Sequence, residues 1–378
     1  MARSVAILHN TLNTVGGGER VCLTMVEALL ERGFDVTLLT AEKTDWDKVE
    51  NAFGMLRFGS ENFHEKFALP FGIRPRIFGI YQRLLAGIYA SLMYRNSFDF
   101  TINTFGDITP LMCKYTYVYF PIYLMMDDGT SKYSTSKLWK FYFTPYAWYQ
   151  KLHYPNYLRY TTPLCTSKYT QDVLKSIFPN DGYVLYPPVE IETFRNENLQ
   201  RENMVVTCSR FAPEKNLHRI PKIASHTPNI EYHIVGGTNR LSGSVISKIL
   251  SEKEKLGCSN VHLHTDVSKQ ELKRLYGRAK VYLHTMIGEH FGISIVEGMA
   301  AGLIPVVHKS GGAYLDIVEK GRYGFSYGTA EEAADIIKSL ISDSAKQKEY
   351  RQLATERSSL FSKQRFKEEF VRLVCNEE

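Results

Sequence analysis

The feature that most constrains the fold is a repeated alternation of short apolar segments with amphipathic ones along the 378 residues. Residues 5–8 and 34–40 are apolar and β-prone, and residues 19–32 between them show the apolar spacing of one helix face. Gly33 follows as a helix-ending glycine. Because a strand–helix–strand unit joins parallel strands, this order predicts a parallel sheet covered by helices.

The same alternation begins again after Tyr186-Pro187-Pro188, which we interpret as a domain linker because paired prolines stiffen an extended connection. Ser268 and Glu271 form a predicted capping box at one helix start. The candidate strands of this half lie at residues 204–208, 232–235, 261–263, 281–284 and 304–307. The predicted fold class is α/β, with two doubly wound Rossmann-like domains and a ligand cleft between them at the carboxyl ends of the strands.

These patterns predict three segments. The N-terminal domain is expected over residues 1–186 and the C-terminal domain over residues 187–345. A charged, amphipathic helical segment over residues 346–378 could pack back on the N-terminal domain.

Composition narrows the class of partner. The net charge of +6 suits an anionic small substrate or a membrane surface, and it is too small to indicate nucleic acid. The six cysteines lack the spacing of a zinc or redox pair, so a reducing compartment is expected. The N-terminus does not have the pattern of a signal peptide, and no apolar run is long enough to span a bilayer.

Residues 288–302 contain the most informative motif. Glu289 and Glu297 are separated by seven residues, and a Phe291-Gly292 turn between them leads into a predicted helix. A helix start offers free N–H groups and the positive end of a dipole, which suits a diphosphate. The two carboxylates could hold hydroxyls of a sugar and a ribose, so the motif predicts a site for a nucleotide-activated sugar. The alternatives are that Glu297 forms a capping box with Ser294 and that Glu289 is solvated.

Two cations and a glycine loop also follow predicted strands. Arg210 and Lys215 suit a diphosphate and the charge of a departing nucleotide, although a solvated turn or an ion pair with Glu214 is the alternative. Gly16-Gly17-Gly18 lets the backbone approach a ligand, or forms only a tight turn. Val21 stands where a dinucleotide fingerprint needs glycine, which argues against a nicotinamide-dependent oxidoreductase.

The region from about residue 64 to 160 holds 25 of the 48 aromatic residues, with 11 Lys or Arg against 5 acidic residues. This composition is typical of a surface that contacts anionic lipid headgroups. A core with a solvated face is the alternative, and RNA stacking is a third possibility without a supporting fold motif. No histidine cluster has metal-ligand spacing.

Taken together, the motifs resemble those of the retaining glycosyltransferases of family four, which have the GT-B fold. Within that family, the likeness is closer to the α-1,2-mannosyltransferases that extend the dolichol-linked oligosaccharide. The segments that carry it extend from the first loop to about residue 318, namely Gly16–Val21, Tyr186–Pro188, Glu214–Asn216, Glu289–Gly292, Met299–Gly302 and Ser310–Gly312.

The resemblance implies roles for the motif residues. Glu289 would contact the donor sugar and Glu297 the ribose, while Arg210 and Lys215 would hold the diphosphate. With Glu289, the two cations form the predicted catalytic set. The N-terminal domain would bind the acceptor and the C-terminal domain the nucleotide sugar. Backbone contacts to the donor are implied for Phe291, Gly292 and Ile293 and, across the cleft, for Gly17 and Gly18.

The family therefore predicts a metal-independent, retaining transfer of a hexose, mannose from GDP-mannose, to a lipid-linked or membrane-proximal glycan. No cofactor is implied besides the donor, and no nucleic-acid partner. The protein would be cytoplasmic and peripheral on the cytosolic face of a membrane. A UDP-sugar donor is the first alternative, and a non-catalytic sugar-nucleotide-binding protein is the second. Tyr119 is a departure, because related enzymes often carry a histidine at this motif.

Overall fold

The computed structural model describes residues 3–54, 58–68, 79–94, 96–104, 113–121, 137–178, 182–195, 200–239 and 241–375. It divides into two compact units, Met1–Pro188 with Phe366–Glu378, and Val189–Arg365. The division between the first and second units falls two residues after the predicted boundary at 186. The predicted third segment, 346–378, is split, because residues 346–365 belong to the second unit.

The first unit is built on a parallel sheet with the strand order β3-β2-β1-β4-β5-β6-β7. Its helices α1 to α5 connect these strands. The strands are β1 Ser4–His9, β2 Asp35–Thr40, β3 Phe63–Phe67, β4 Phe100–Asn103, β5 Tyr115–Val118, β6 Thr162–Cys165 and β7 Tyr183–Val184. The helices are α1 Gly17–Glu31, α2 Trp46–Phe53, α3 Gly79–Tyr94, α4 Lys137–Leu158 and α5 Lys168–Ile177.

The second unit has a parallel sheet with the order β10-β9-β8-β11-β12-β13. Its strands are β8 Met204–Cys208, β9 Glu231–Gly236, β10 Val261–Thr265, β11 Val281–His284, β12 Ile304–His308 and β13 Phe325–Tyr327. Its helices are α6 Ile220–Ser225, α7 Ser242–Lys255, α8 Lys269–Arg278, α9 Ile293–Ala300, α10 Ala330–Ser342 and α11 Ser344–Ser358.

A last helix, α12 Lys363–Cys375, follows α11. Phe366, Phe370 and Val374 on this helix are buried in the cluster that also contains residues of β1 and α1. The apolar face of the C-terminal helix is therefore part of the core of the first unit, which explains why the last residues group with it.

Both sheets have the order of a doubly wound fold, and this confirms the predicted α/β class with two Rossmann-like units. In each sheet, the second and third strands are added on one side of the first strand, and all later strands are added on its other side. The strand order therefore reverses between β1 and β4 in the first unit and between β8 and β11 in the second. Loops that follow such neighbouring strands are where open α/β sheets bind ligands. In the part of the chain that the structure describes, no helix is long and apolar enough to cross a bilayer.

Candidate functional site

In the second unit, the predicted site residues follow the two strands at the reversal of strand order. β8 and β11 pair in parallel through Val205 with Val281 and Val206 with Tyr282. Their carboxyl ends therefore lie side by side, and the loop after β8 leads to Lys215 while the loop after β11 leads to Glu289. The topology thus explains why residues 74 positions apart in the sequence come into contact.

Lys215, His284 and Glu289 form a buried polar cluster. The Lys215 Nζ donates to Glu289 Oε2 at 2.6 Å, and His284 Nε2 lies 3.0 Å from the same oxygen. The backbone N–H of His290 donates to the other oxygen, Oε1, at 3.2 Å. Thr285 Oγ1 donates to the Lys215 carbonyl at 2.7 Å, which joins the two loops through a backbone group as well.

The cluster keeps Glu289 ionised. Burial alone would raise the pKa of Glu289, but the charge of Lys215 and the hydrogen bond from His284 outweigh it and hold the pKa well below its ordinary value. Burial also lowers the pKa of His290 to about 4, despite the opposing charge of Glu289. A carboxylate that stays charged at neutral pH can accept hydrogen bonds from substrate hydroxyls or stabilise positive charge developing on a sugar ring.

Backbone geometry around Glu289 depends on the loop after β12. The N–H of Gly312 donates to the Glu289 carbonyl at 2.6 Å, and the N–H of Gly288 donates to Ser310 Oγ at 2.8 Å. Gly311 has φ +72°, and a Cβ at this position would lie 2.4 Å from the Glu289 carbonyl oxygen. The Ser310–Gly312 motif was part of the family resemblance, but no sequence pattern links this loop to Glu289.

The turn before α9 is built as the motif predicted. Gly292 has φ +107° at the N-cap, where a Cβ would lie 2.5 Å from Ile295 Cδ1, so glycine is required. The Phe291 ring is buried edge-to-face against Phe361, with the ring centroids 5.2 Å apart. The turn therefore has a fixed geometry, and the first N–H groups of a helix, which include that of Ile293, have no partner within the helix.

Glu297 lies in the second turn of α9 and is only 9% exposed. The alternative that Ser294 and Glu297 form a capping box is wrong, because the helix begins earlier, at Ile293, and Gly292 is its N-cap. Ser294 Oγ instead accepts from the Tyr282 hydroxyl at 2.7 Å. Burial raises the pKa of Cys208 to about 12, and the charge of nearby Glu297 contributes to this shift.

For the predicted site residue Arg210, the structure shows the alternative arrangement, an ion pair with Glu214. Its guanidinium lies 3.6 Å from the carboxylate of Glu214, and the Arg210 side chain is 69% exposed. This is the ion pair expected of an ordinary basic turn. Because exposed ion pairs contribute little to stability, an incoming phosphate could displace Glu214 at small cost.

In the first unit, the glycine loop begins α1 and is held by side chains around it. Glu19 Oε2 accepts from the N–H of Gly16 at 2.6 Å, and Thr14 also donates to this carboxylate. The Tyr119 hydroxyl donates to the Gly18 carbonyl at 3.1 Å. Tyr119 thus contacts the loop directly, while the role of Gly17 and Gly18 in donor binding stays a prediction.

A buried ion pair lies beneath this loop. His9 Nε2 is 3.8 Å from Glu19 Oε1, and both side chains are largely buried. Burial by itself would lower the pKa of His9, but interactions with Cys22 and Glu19 raise it to about 10. Burial likewise would raise the pKa of Glu19, and His9 lowers it to about 2. Among the described residues, no group of three or more His, Cys, Asp or Glu side chains is arranged to hold a metal ion.

Comparison with known proteins finds similarity to glycosyltransferases. Residues 189–357 match the family model for glycosyl transferases group 1. A GDP-Man:Man(3)GlcNAc(2)-PP-Dol alpha-1,2-mannosyltransferase of Dictyostelium discoideum is 30% identical over 55% of this chain and 45% of the relative. The Homo sapiens protein of that name is 32% identical over 50% of this chain and 43% of the relative. The Candida albicans protein of that name is 30% identical over 64% of this chain and 47% of the relative. The predicted resemblance is confirmed, and the chain spans less than half the length of these curated relatives.

Solved structures share the fold across nearly the whole chain. Anabaena HepE in complex with UDP and glucose has a TM-score of 0.70 at 16% identity, over 99% of this chain and all of HepE. Sucrose-phosphate synthase from Thermosynechococcus elongatus has a TM-score of 0.76 at 15% identity, over 99% and 98%. WaaG, a glycosyltransferase involved in lipopolysaccharide biosynthesis, has a TM-score of 0.69 at 14% identity, over 98% and 99%. At these identities the likeness shows the fold alone.

Proposed function

We propose that this chain, whose residues 189–357 belong to the glycosyl transferases group 1 family, is a retaining glycosyltransferase. Its substrates would be a nucleotide sugar, GDP-mannose, and a lipid-linked or membrane-proximal glycan. The observation that carries the proposal is the Lys215–Glu289 pair, 2.6 Å apart beside the turn into α9. A cation, a carboxylate and a helix start together match the charge pattern of a sugar joined to a diphosphate.

Each side chain has a proposed task. Lys215 and Arg210 bind the diphosphate and neutralise the charge that grows on it as the sugar leaves. Glu289 accepts hydrogen bonds from the donor sugar, and Glu297 from the ribose. The N–H groups of the turn at residues 291–293 bind phosphate oxygens at the positive end of α9.

The proposed transfer retains the anomeric configuration of the sugar because of the direction from which the acceptor attacks. We propose that the acceptor hydroxyl attacks from the side of the departing diphosphate, which takes the acceptor's proton. The sugar then forms a bond to the acceptor oxygen as the bond to the phosphate oxygen breaks. In this scheme the two cations and the helix dipole stabilise the leaving group, so we propose a metal-independent transfer.

The identity of the donor is supported by the names of the curated relatives, which specify GDP-mannose and a dolichol-linked acceptor. A thermal-shift panel of GDP, UDP, ADP and their sugars tests the base and the sugar. GDP and GDP-mannose should give the largest stabilisation. A larger effect of UDP-sugars would instead favour the UDP-dependent alternative, and no effect of any nucleotide would contradict the donor site.

Transfer is tested with radiolabelled GDP-mannose and a lipid-linked oligosaccharide acceptor. The wild-type chain should label the lipid fraction, and Glu289→Gln should not, because the amide cannot supply the negative charge. Arg210→Ala should weaken the binding of GDP in calorimetry. Full activity of Glu289→Gln would place the reaction centre elsewhere, and unchanged GDP affinity of Arg210→Ala would remove that residue from the phosphate site. Donor hydrolysis without transfer would argue against a purely binding function.

A lipid-linked acceptor requires access to a membrane surface, and we propose that α4 provides it on the cytosolic face. Phe141, Trp148 and Leu152 recur at helical spacing and are 82%, 66% and 49% exposed. Lys140 directly precedes Phe141, Lys151 directly precedes Leu152, and both lysines are also exposed. Aromatic and aliphatic side chains beside lysines suit shallow insertion among anionic headgroups.

Flotation with liposomes tests the membrane proposal. The protein should float with phosphatidylserine vesicles, less with phosphatidylcholine vesicles, and less again as salt is added. Trp148→Ser should weaken flotation, whereas the matched control Tyr183→Ser, at an exposed aromatic residue of β7 outside the region of residues 64–160, should not. Absence of flotation with anionic vesicles would remove the proposal.

A further inference from the structure

The two carboxylate oxygens of Glu289 are held unequally. Oε2 accepts from two side chains, Lys215 Nζ at 2.6 Å and His284 Nε2 at 3.0 Å. Oε1 has a weaker contact, the N–H of His290 at 3.2 Å. A carboxylate offers about four acceptor positions, so Oε1 keeps capacity for a further donor while Oε2 is occupied.

His284 is the fixed member of this arrangement. It is the last residue of β11, is 2% exposed, and its carbonyl accepts from the Tyr327 hydroxyl at 2.9 Å. It pairs with Val307 of the neighbouring strand. The ammonium group of Lys215, in contrast, is at the end of a long, flexible side chain, and Lys215 itself is the last residue of a short turn. The sheet therefore determines where His284 Nε2 lies, independently of the loop that carries Glu289.

We infer that His284 is a positioning residue for sugar transfer, which holds Oε2 of Glu289 and leaves Oε1 directed at the donor sugar. The inference rests on the proposed function. If Lys215 turns to the diphosphate when the donor binds, Glu289 loses its closest partner, and His284 remains as the side chain that fixes the carboxylate. Side chains that orient a catalytic group in this way decide whether it stays within the productive geometry.

The surroundings of the ring indicate its tautomer. His284 Nδ1 is buried and has no hydrogen-bond partner in the described part of the chain. A proton on Nδ1 would be a buried donor without an acceptor, which is costly. The neutral ring with its proton on Nε2 satisfies Glu289 and avoids that cost, so His284 is expected to carry its proton there.

The kinetic test compares His284→Leu, His284→Gln and the wild-type chain. In His284→Leu, kcat for mannose transfer should fall by up to about a hundredfold. The donor KM should change less than threefold, since Lys215 and the α9 turn are intact. His284→Gln should recover much of kcat because its amide N–H can replace the Nε2–H. His226→Leu, at an exposed histidine of the same unit, is the matched control and should resemble wild type.

Nitrogen chemical shifts of labelled histidine provide a readout that does not require turnover. The wild-type spectrum should contain an Nε2–H tautomer that is absent from His284→Gln and shifted in Glu289→Gln. An Nδ1–H tautomer, or a signal insensitive to Glu289→Gln, would overturn the inference even if the leucine variant failed to fold. Full kcat in a folded His284→Leu would do the same. A wild-type chain that transfers no sugar but shows the predicted tautomer would instead contradict the proposed function.

Discussion

Gly311 shows how strongly Glu289 depends on a neighbouring residue without a side chain. Gly311→Ala should destabilise the second unit because its φ is +72° and the new Cβ would lie 2.4 Å from the Glu289 carbonyl oxygen. Gly257→Ala is the matched control, with φ +63° and open space around the Cβ. The left-handed conformation alone costs about 1–2 kcal/mol, and the clash should add about 1–3 kcal/mol. Equal losses in urea unfolding would show that the loop relaxes without strain.

The buried His9–Glu19 pair predicts a pH dependence of stability. The pKa of Glu19 is lowered to about 2, so its ionised form stabilises the fold above pH 4.5, and this contribution is lost as the pH falls toward 2. Glu19→Gln should lower the free energy of unfolding by about 3 kcal/mol at pH 7, and by progressively less below pH 4.5. Unfolding monitored at several pH values measures this difference.

The contribution of the His9–Glu19 pair to stability is also lost at high pH, and a substitution at an exposed acidic residue serves as the control for Glu19→Gln. The raised pKa of His9, about 10, means that its contribution is present below pH 6.5 and is lost as the pH rises through 10. Asp172→Asn, at an exposed position of α5, should change stability by less than about 0.5 kcal/mol. A difference between Glu19→Gln and wild type that does not depend on pH would contradict a charged pair.

At the scale of single residues, the sequence motifs identified the charged residues of the site but not the residue that holds Glu289 in place. Lys215 and Glu289 were singled out from different motifs, and the structure brings them into contact. No sequence motif singles out His284, because a lone histidine at a strand end carries no pattern. The role that we infer for His284 depends on its contact with the carboxylate of Glu289, five residues later in the chain. Only the conformation of the loop after β11 creates that contact.

Among the elements, α12 depends on one buried cation. Lys367 Nζ donates to Glu27 at 2.6 Å and to Glu31 at 2.7 Å, both on α1. Burial alone would lower the pKa of Lys367, but the two carboxylates raise it. Lys367→Met keeps the aliphatic stem and leaves two like charges together, so the free energy of unfolding should fall by about 3 kcal/mol.

Hydrogen exchange of α12 measures the effect of Lys367→Met locally. The amides of α12 should exchange faster while those of α10, in the other unit, keep their rates. Glu27→Gln combined with Lys367→Met should recover part of the loss, because it removes the repulsion between Glu27 and Glu31. Unchanged exchange in α12 would mean that Phe366 and Phe370 hold the helix without the ion pairs.

The elements themselves were predictable where burial is complete. Residues 204–208 and 281–284 were predicted as strands and are strands with the same bounds, since strands buried on both faces read as apolar runs. Of the capping box predicted at Ser268 and Glu271, the N-cap bond is confirmed, because the Ser268 side chain accepts from the Glu271 N–H. The capping box at Ser294 was wrong because Gly292 begins the helix without a side-chain cap, and composition does not reveal that.

For the whole molecule, two sheets with reversing strand order make the loops after β8 and β11 the expected place for the donor. Bound GDP-mannose should slow amide exchange at residues 209–216 and 286–295, because ligand binding suppresses local opening of the segments it contacts. Residues of α10 serve as an internal control and should be unaffected. Lys215→Met should reduce the protection, since it removes a cation that contacts Glu289. Protection confined to the open cavity of about 680 Å³ lined by Arg274 and Arg278 would move the donor site away from these strand ends.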